Sequence, residues 1–330
     1  MNFAQIKELK DKILGGYQIT KEDALKLVST ENLEALYYSA NQIRAKFCGE
    51  YFEMWSVYHQ NLGRCENDCT FCPMSNVTKV DYYATCDETC NIETVEKQAE
   101  SMRILRAQGV RKVEIDSTHS SLNDENLSKM ICMLNAIKNK VDIELCASFG
   151  ILSREQLIRL KNETNINYYH CNIETSESFY HNVCTTIKPE DKYETLKTAK
   201  SLGFYTCSGG IIGLGESMED RIDMALKLRS LNVDAISLNI MLPFPGTPLE
   251  KQARLSNQEI LTTFAIFRFI NPKAKLRFAR GRSMIKIIEK EALKTGMNSS
   301  IVGELLVNAK GADIRNDIQL FESEGFIIRK

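Results

Sequence analysis

Gly63-Arg64-Cys65-Glu66-Asn67-Asp68-Cys69-Thr70-Phe71-Cys72-Pro73 puts three cysteines on one short loop, with three residues between the first pair and two between the second. Such spacing lets the loop fold its sulfurs onto one face of a small cluster. A [4Fe-4S] cube ordinarily takes four thiolates. With three supplied locally, one iron stays open to another ligand, so the site is read as reactive rather than structural. A zinc knuckle is the plainer alternative. Closed zinc sites, however, pair two Cys-x-x-Cys or Cys/His units, and no second half follows at the expected distance.

Working outward from this loop, helical and extended patterns alternate. Before it, the first fifty residues read as helices, with apolar positions Ile6, Leu9 and Ile13, then Ala24, Leu25, Leu27 and Val28 at helical spacing. Thr20-Lys21-Glu22-Asp23 reads as a capped helix start. A strand over Phe52–Tyr58 leads into the cysteine loop. After it, helices are expected over 92–108, 122–139, 153–162, 189–202, 219–231, 256–270 and 283–294. Strands are expected over 112–116, 141–146, 166–173, 204–212, 234–240, 275–279 and 298–302. Eight strands with helices between them predict a (β/α)8 TIM-type barrel with an N-terminal helical extension, an open doubly wound sheet being the alternative. The expected divisions are a helical lead-in over 1–50, the barrel over 51–310 and a helical cover over 311–330.

Composition sets the limits. The chain has 330 residues, 43% apolar and 26% charged, enough to bury a full barrel core. A net charge of -1 argues against nucleic-acid or membrane-surface partners. No apolar run approaches the roughly eighteen residues of a membrane span, and no export signal is evident, so a cytoplasmic protein is expected. Eleven cysteines in a chain this long suggest metal binding in a reducing or anaerobic compartment rather than disulfides.

In a parallel barrel the chemistry collects at the C-terminal strand ends. Unusual residues recur there: Cys146 to Gly150, Tyr168-Tyr169-His170-Cys171-Asn172-Ile173-Glu174, and Cys207-Ser208-Gly209-Gly210-Ile211-Ile212-Gly213-Leu214-Gly215-Glu216. Asn172 and Glu174 alternate onto one strand face, suited to ribose hydroxyls or a ureido group; a buried, satisfied polar pair is the plainer reading. The glycines suit a close approach of backbone to ligand. Alone, however, such a run also simply turns corners.

The cysteine spacing, with Phe71 just before the third cysteine, resembles the radical S-adenosylmethionine superfamily. That resemblance implies that the open iron chelates the cofactor and that one electron cleaves it to a 5'-deoxyadenosyl radical. The Asn167–Ser178 and Cys207–Glu216 runs, Gly246-Thr247-Pro248-Leu249-Glu250 and Leu276-Arg277-Phe278-Ala279-Arg280-Gly281-Arg282 together resemble the biotin synthase family. The likeness runs in order from about Gly15 to the C-terminus.

The family resemblance implies insertion of sulfur at C6 and C9 of dethiobiotin, carbons whose unactivated C–H bonds acid–base chemistry cannot break. It also implies a homodimer and a flavodoxin- or ferredoxin-type electron donor. By matched position, Cys65, Cys69 and Cys72 would hold the [4Fe-4S] cluster. Phe71, Asn172, Glu174, Lys192, Ile211, Gly213 and Gly215 would contact S-adenosylmethionine, and Asn172 and Asn239 the substrate. The family commonly has aspartate at Glu174 and arginine at Lys192.

The family's inner [2Fe-2S] cluster uses three cysteines and an arginine. Cys146, Cys207 and Arg277 match three of these positions, but the remaining cysteine is missing, with Glu114 its nearest counterpart. Cys171 and Cys184 appear where the family has other residue types. The expectation is an auxiliary cluster rebuilt from Cys146, Cys207 and one or both of these, favouring [4Fe-4S] over [2Fe-2S], with Arg277 beside it. His170 is unassigned, and Cys48, Cys86, Cys90 and Cys132 are read as structural, free cysteine being often just a small buried hydrophobe. Rival readings are a hydrogenase-maturation or methyltransferring relative on the same barrel, or a non-catalytic iron–sulfur scaffold.

Overall fold

The computed structural model describes residues 1–60, 62, 64–80, 92–303 and 313–328. Cys86, Cys90 and the beginning of the expected C-terminal cover lie outside the described residues. Helices α1 (Phe3–Leu14), α2 (Lys21–Val28) and α3 (Leu33–Cys48) lead in. Thr20 caps α2 as the sequence predicts: its side chain accepts from the Asp23 N–H while the Asp23 carboxylate accepts from the Thr20 N–H.

The repeating part follows in order: β1 (Tyr51–Gln60), α4 (Ile92–Ala107), β2 (Lys112–Ser117), α5 (Asp124–Lys138), β3 (Glu144–Ser148), α6 (Arg154–Thr164), β4 (Tyr168–His170), α7 (Pro189–Ser201), β5 (Tyr205–Ile212), α8 (Met218–Ser230), β6 (Ala235–Ile240), α9 (Asn257–Ile270) and β7 (Lys275–Phe278). The short α10 (Glu289–Leu293) and β8 (Ser299–Ile301) complete the circuit. Each strand pairs parallel with the next, and β1 pairs with both β2 and β8. The sheet therefore closes, leaving no open doubly wound edge, and the fold is a (β/α)8 barrel.

Three expectations change. The fourth strand stops at His170, because Glu174 turns into the left-handed region (φ 69°) and joins β5 only through a bridge to Gly210. Residues 282–288 form a 3-10 turn rather than the start of one long helix. The C-terminal segment is α11 (Ile314–Ser323) followed, after Gly325 (φ 87°), by β9 (Ile327–Ile328), which adds to β1 at Tyr51 and Phe52. Phe52 stacks on Phe321 with ring centroids 4.0 Å apart, sealing this end of the barrel wall.

Helix α9 is buried without a break from Ile260 to Ile270, lying between the barrel and the N-terminal helices. Burial on every face explains why its sequence is apolar all round rather than striped. The exception, Arg268, donates to the carbonyls of Gly296, Asn271, Pro272 and Ala274 and to Asn298 Oδ1, so its charge is fully hydrogen-bonded. Among the described residues no helix is long and apolar enough to cross a membrane.

Alternation along the strands fills the lumen in layers. At the bottom, Glu53 Oε1 lies 2.7 Å from both Lys112 Nζ and Lys275 Nζ, while Trp55 Nε1 donates to Glu53 Oε2 at 2.7 Å. Burial would raise the Glu53 carboxyl, but Lys275 and Lys112 pull it down to about 2. This ionic plug, with Trp55 above it, closes the barrel floor.

Candidate active site

Above Trp55 lies a second layer of inward residues. Cys146 and Cys207 sit with Trp55 and Ala235 in one small buried group. Register places Glu114 opposite Cys146, and His170 opposite Cys207. Arg277, wholly buried, stacks its guanidinium 3.9 Å from the Trp55 ring centroid and points Nη2 at Cys207 Sγ, 3.8 Å away. Its Nη1 lies 3.6 Å from Glu114 Oε2, which also lies 3.5 Å from His170 Nδ1.

The two thiols pack together, and their surroundings act on them in opposite directions. Burial, then the contact with Cys207, raises Cys146. Cys146 lowers Cys207 despite burial, helped by His170 and Arg277. Burial alone would lower the His170 imidazole, but Glu114 and the hydrogen bond with Cys207 raise it to about 9.

The third layer is a cavity of about 270 Å³ whose floor reaches Glu114 and His170. Its roof is the cysteine loop: Cys65, Cys69, Cys72, Phe71 and Pro73 all line it. The loop's shape comes from its own backbone: Cys72 N–H donates to Cys69 O at 3.2 Å, and Asn76 N–H to Asn67 O at 2.9 Å. Asp68 ties it to residues 184–186, accepting from the N–H groups of Thr185 (2.9 Å) and Thr186 (3.2 Å) and from Cys184 Sγ (3.2 Å). Burial opposes the Asp68 charge, yet the bonds from Thr185, Cys184 and Thr186 hold its carboxyl well below the usual range. Three convergent thiols facing one cavity fit a [4Fe-4S] cluster with an open iron.

On the wall, Asn172 presents a buried Oδ1 with no hydrogen-bond partner, an acceptor aimed at a ligand. Lys192 Nζ lies 3.5 Å from Glu174 Oε1; burial would lower this lysine, but Glu174 more than offsets it and the ammonium is held charged. Ile211 reaches the cavity from β5 and packs with Met241 and Leu214 against Phe71, giving an apolar side wall. Asn239 also lines the cavity, but its amide is partly committed: Nδ2 donates to Gly210 O at 3.1 Å, and Oδ1 accepts from Arg280 N–H at 3.0 Å.

Other sequence expectations land elsewhere. Gly213 and Gly215 do not line this cavity. The Gly213 and Leu214 N–H groups donate to Glu216 at 2.8 and 2.7 Å, and Glu216 pairs with Arg221, so the run is a turn held from below. Gly209 and Gly210 are required by backbone rather than ligand: a Cβ on Gly209 would stand 1.9 Å from Ser237 O, and one on Gly210 2.3 Å from Glu174 O. Cys171 lines the same cavity and packs in the main core near Lys192 and Glu174, outside the small group of Cys146 and Cys207.

Cys184 is not brought to Cys146 and Cys207. It packs with Tyr180, Ile187, Ile151 and Cys69 beneath the cysteine loop, since it follows the 3-10 turn at 180–182 rather than a barrel strand. Cys48 accepts from Arg268 Nη1 at 3.5 Å, and Cys132 is exposed on α5. Sequence reading left His170 and Asp68 without roles. The signal for His170 was its place two residues before Asn172, on the same strand face.

Two features test the inner layer as a cluster site. Its thiols are two, not four. Yet Glu114 Oε2, His170 Nδ1 and Arg277 Nε are all buried without a hydrogen-bond partner around those thiols, a deficit that a bound metal group would relieve. The residues present therefore fit such a group.

A closed parallel barrel with a three-cysteine loop roofing its C-terminal cavity defines a radical S-adenosylmethionine enzyme, and the Radical SAM superfamily profile matches residues 62–228. The Biotin and Thiamin Synthesis associated domain matches residues 237–327. The chain belongs to the biotin synthase family: it is 38% identical over 322 residues to the biotin synthase of Parabacteroides distasonis (97% of this chain, 96% of that one). It is 39% identical over 321 residues to that of Clostridium botulinum strain Alaska E43 (97% and 98%). Membership implies a [4Fe-4S] cluster and S-adenosylmethionine. The fold is also that of methylornithine synthase (TM-score 0.82, 20% identity, 98% and 97% covered). The FeFe-hydrogenase maturase HydG from Carboxydothermus hydrogenoformans shares it as well (TM-score 0.79, 15% identity, 98% and 79% covered).

Proposed function

We propose that this chain inserts sulfur between C6 and C9 of dethiobiotin, using S-adenosylmethionine at the Cys65/Cys69/Cys72 cluster and sulfur from an inner iron–sulfur cluster at Cys146 and Cys207. The observation that carries this reading is the cavity itself. Its roof is the cysteine loop, and its floor, at Glu114 and His170, lies in the layer of Cys146 and Cys207. A substrate held there meets a source of radicals on one side and a source of sulfur on the other.

When bound, the loop cluster with its cofactor supplies a carbon radical able to break an unactivated C–H bond, and the inner cluster supplies the sulfur atom. The chain's own residues do the positioning. Phe71, Ile211 and Met241 exclude water and cover an apolar ring face. Asn172 Oδ1 accepts a hydrogen bond from the ligand, and the Lys192–Glu174 pair fixes a charged, hydroxyl-bearing ligand end. Asn239 offers its remaining N–H and lone pair to a ureido ring. Glu174 holds its left-handed conformation because Gly209 and Ile211 bond its backbone on both sides, a strained placement of the kind that concentrates at ligand sites.

In this reading residues 1–50 and 311–330 cover a 51–310 catalytic barrel, a flavodoxin- or ferredoxin-type protein delivers the electrons, and the chain works as a homodimer. The test is anaerobic incubation with dethiobiotin, S-adenosylmethionine and a strong reductant. Biotin together with 5'-deoxyadenosine supports the assignment. Cofactor cleavage with neither biotin nor 9-mercaptodethiobiotin rejects it in favour of another radical enzyme, and no cleavage at all indicates a scaffold.

A further inference from the structure

His170 is an unusual residue for the middle of a barrel. It is 6% exposed, its Nδ1 has no hydrogen-bond partner, and the carboxylate oxygen facing it, Glu114 Oε2, has none either. The two stand 3.5 Å apart, so Glu114 fixes the ring without satisfying it. Register sets His170 directly beside Cys207 on the neighbouring strand. Cys207 in turn meets Cys146. Side chains of metal-binding type from β3, β4 and β5 thus stand on neighbouring strands in one buried layer, bordered by the Arg277 guanidinium.

We propose that His170 is the third protein ligand of the inner iron–sulfur cluster, with Cys146 and Cys207 supplying thiolates and Glu114 orienting the ring from behind. The chemistry of the donors argues for the imidazole over the carboxylate. Imidazole binds cluster iron alongside cysteines in Rieske centres, whereas carboxylate suits harder ions. A ligating histidine characteristically turns its other ring nitrogen to a carboxylate. Nδ1 faces Glu114, which leaves Nε2 for iron. Cys184 lies under the cysteine loop and Cys171 in the core, so neither takes this place.

This assignment rests on the reading that an inner cluster exists, and the experiment separates the two. The full chain is produced with nitrogen-15 histidine, reconstituted anaerobically with iron and sulfide, and reduced. Pulsed EPR then examines the inner cluster in the Cys65→Ala/Cys69→Ala/Cys72→Ala background, where the loop cluster is gone. The expected result is a directly coupled nitrogen whose frequency follows the histidine label and which disappears in His170→Cys while a cluster remains. An inner cluster insensitive to the histidine label overturns the ligand assignment and leaves the sulfur source standing. No iron retained in that background, with wild-type protein also holding only the loop cluster, overturns both. If His170→Cys fails to fold, His170→Gln serves in its place, the other three histidines staying labelled.

Discussion

Cys184 packs against Cys69, a member of the cysteine loop, beside Tyr180 and Ile187. Its thiol donates to the Asp68 carboxylate at 3.2 Å, which ties it to the same loop. Strand spacing in the sequence placed Cys184 between the units supplying Cys146 and Cys207; the fold places it one layer above them. Cys184→Ala is therefore expected to leave the iron content and spectrum of the inner cluster unchanged. Loss of the inner cluster in that variant, by iron analysis and Mössbauer spectroscopy, would return Cys184 to the ligand set.

Asp68 carries the connection from the cysteine loop to residues 184–186 through a single carboxylate. Asp68→Ala removes several charge-assisted bonds at once. Iron release from the loop cluster to an external chelator is expected to accelerate by about tenfold or more. An unchanged release rate would mean that the loop is held without Asp68, by its internal turns and by the bonds of Asn67 and Thr70 to Thr186, Ser120 and Val183.

Gly210 is pinned between two elements, since a Cβ there would meet Glu174 O at 2.3 Å and Met224 Sδ at 2.4 Å. Gly210→Ala must push the Glu174 turn away from β5 and is expected to cost about 1–3 kcal/mol of stability. Because Asn172 and Glu174 move with that turn, the KM for S-adenosylmethionine should rise more than the melting temperature alone explains. A variant with wild-type KM would show that the turn does not set the cofactor contact.

Glu53 sets the acid limit of the barrel floor. Its carboxyl is lowered from 4.5 to about 2 by Lys275 and Lys112 acting against burial, so its contribution is present above about pH 4.5 and is lost as the pH falls through about 2. That contribution is on the order of 3 kcal/mol at neutral pH. Glu53→Gln should lower the urea midpoint strongly at pH 7 and progressively less toward pH 2, and a deficit that did not shrink on acidification would contradict the charge-based account.

Much of the barrel was legible because apolar periodicity, caps and the Thr20 box report local physics that tertiary context did not override. The cysteine loop was legible for the same reason, its spacing being a local property. What escaped reading depended on long-range register. His170 becomes a candidate ligand only when β4 is set against β5, so that it stands opposite Cys207. Glu174 leaves the strand because Gly210 admits its carbonyl, and no local propensity marks that event. The glycines at 213 and 215 looked like a ligand cradle until Glu216 proved to bind their turn. The short β9 was hidden by its helical neighbour, although Phe326-Ile327-Ile328 after Gly325 carries a strand-like signal.

The most direct test follows the sulfur atom. Protein is reconstituted anaerobically with isotopically heavy sulfide, freed of excess, and given unlabelled dethiobiotin, S-adenosylmethionine and reductant for a single turnover; mass spectrometry then reads the product. The account predicts biotin carrying the heavy sulfur, with 5'-deoxyadenosine formed alongside. Biotin containing only light sulfur, or cofactor cleavage with dethiobiotin recovered intact, would contradict it.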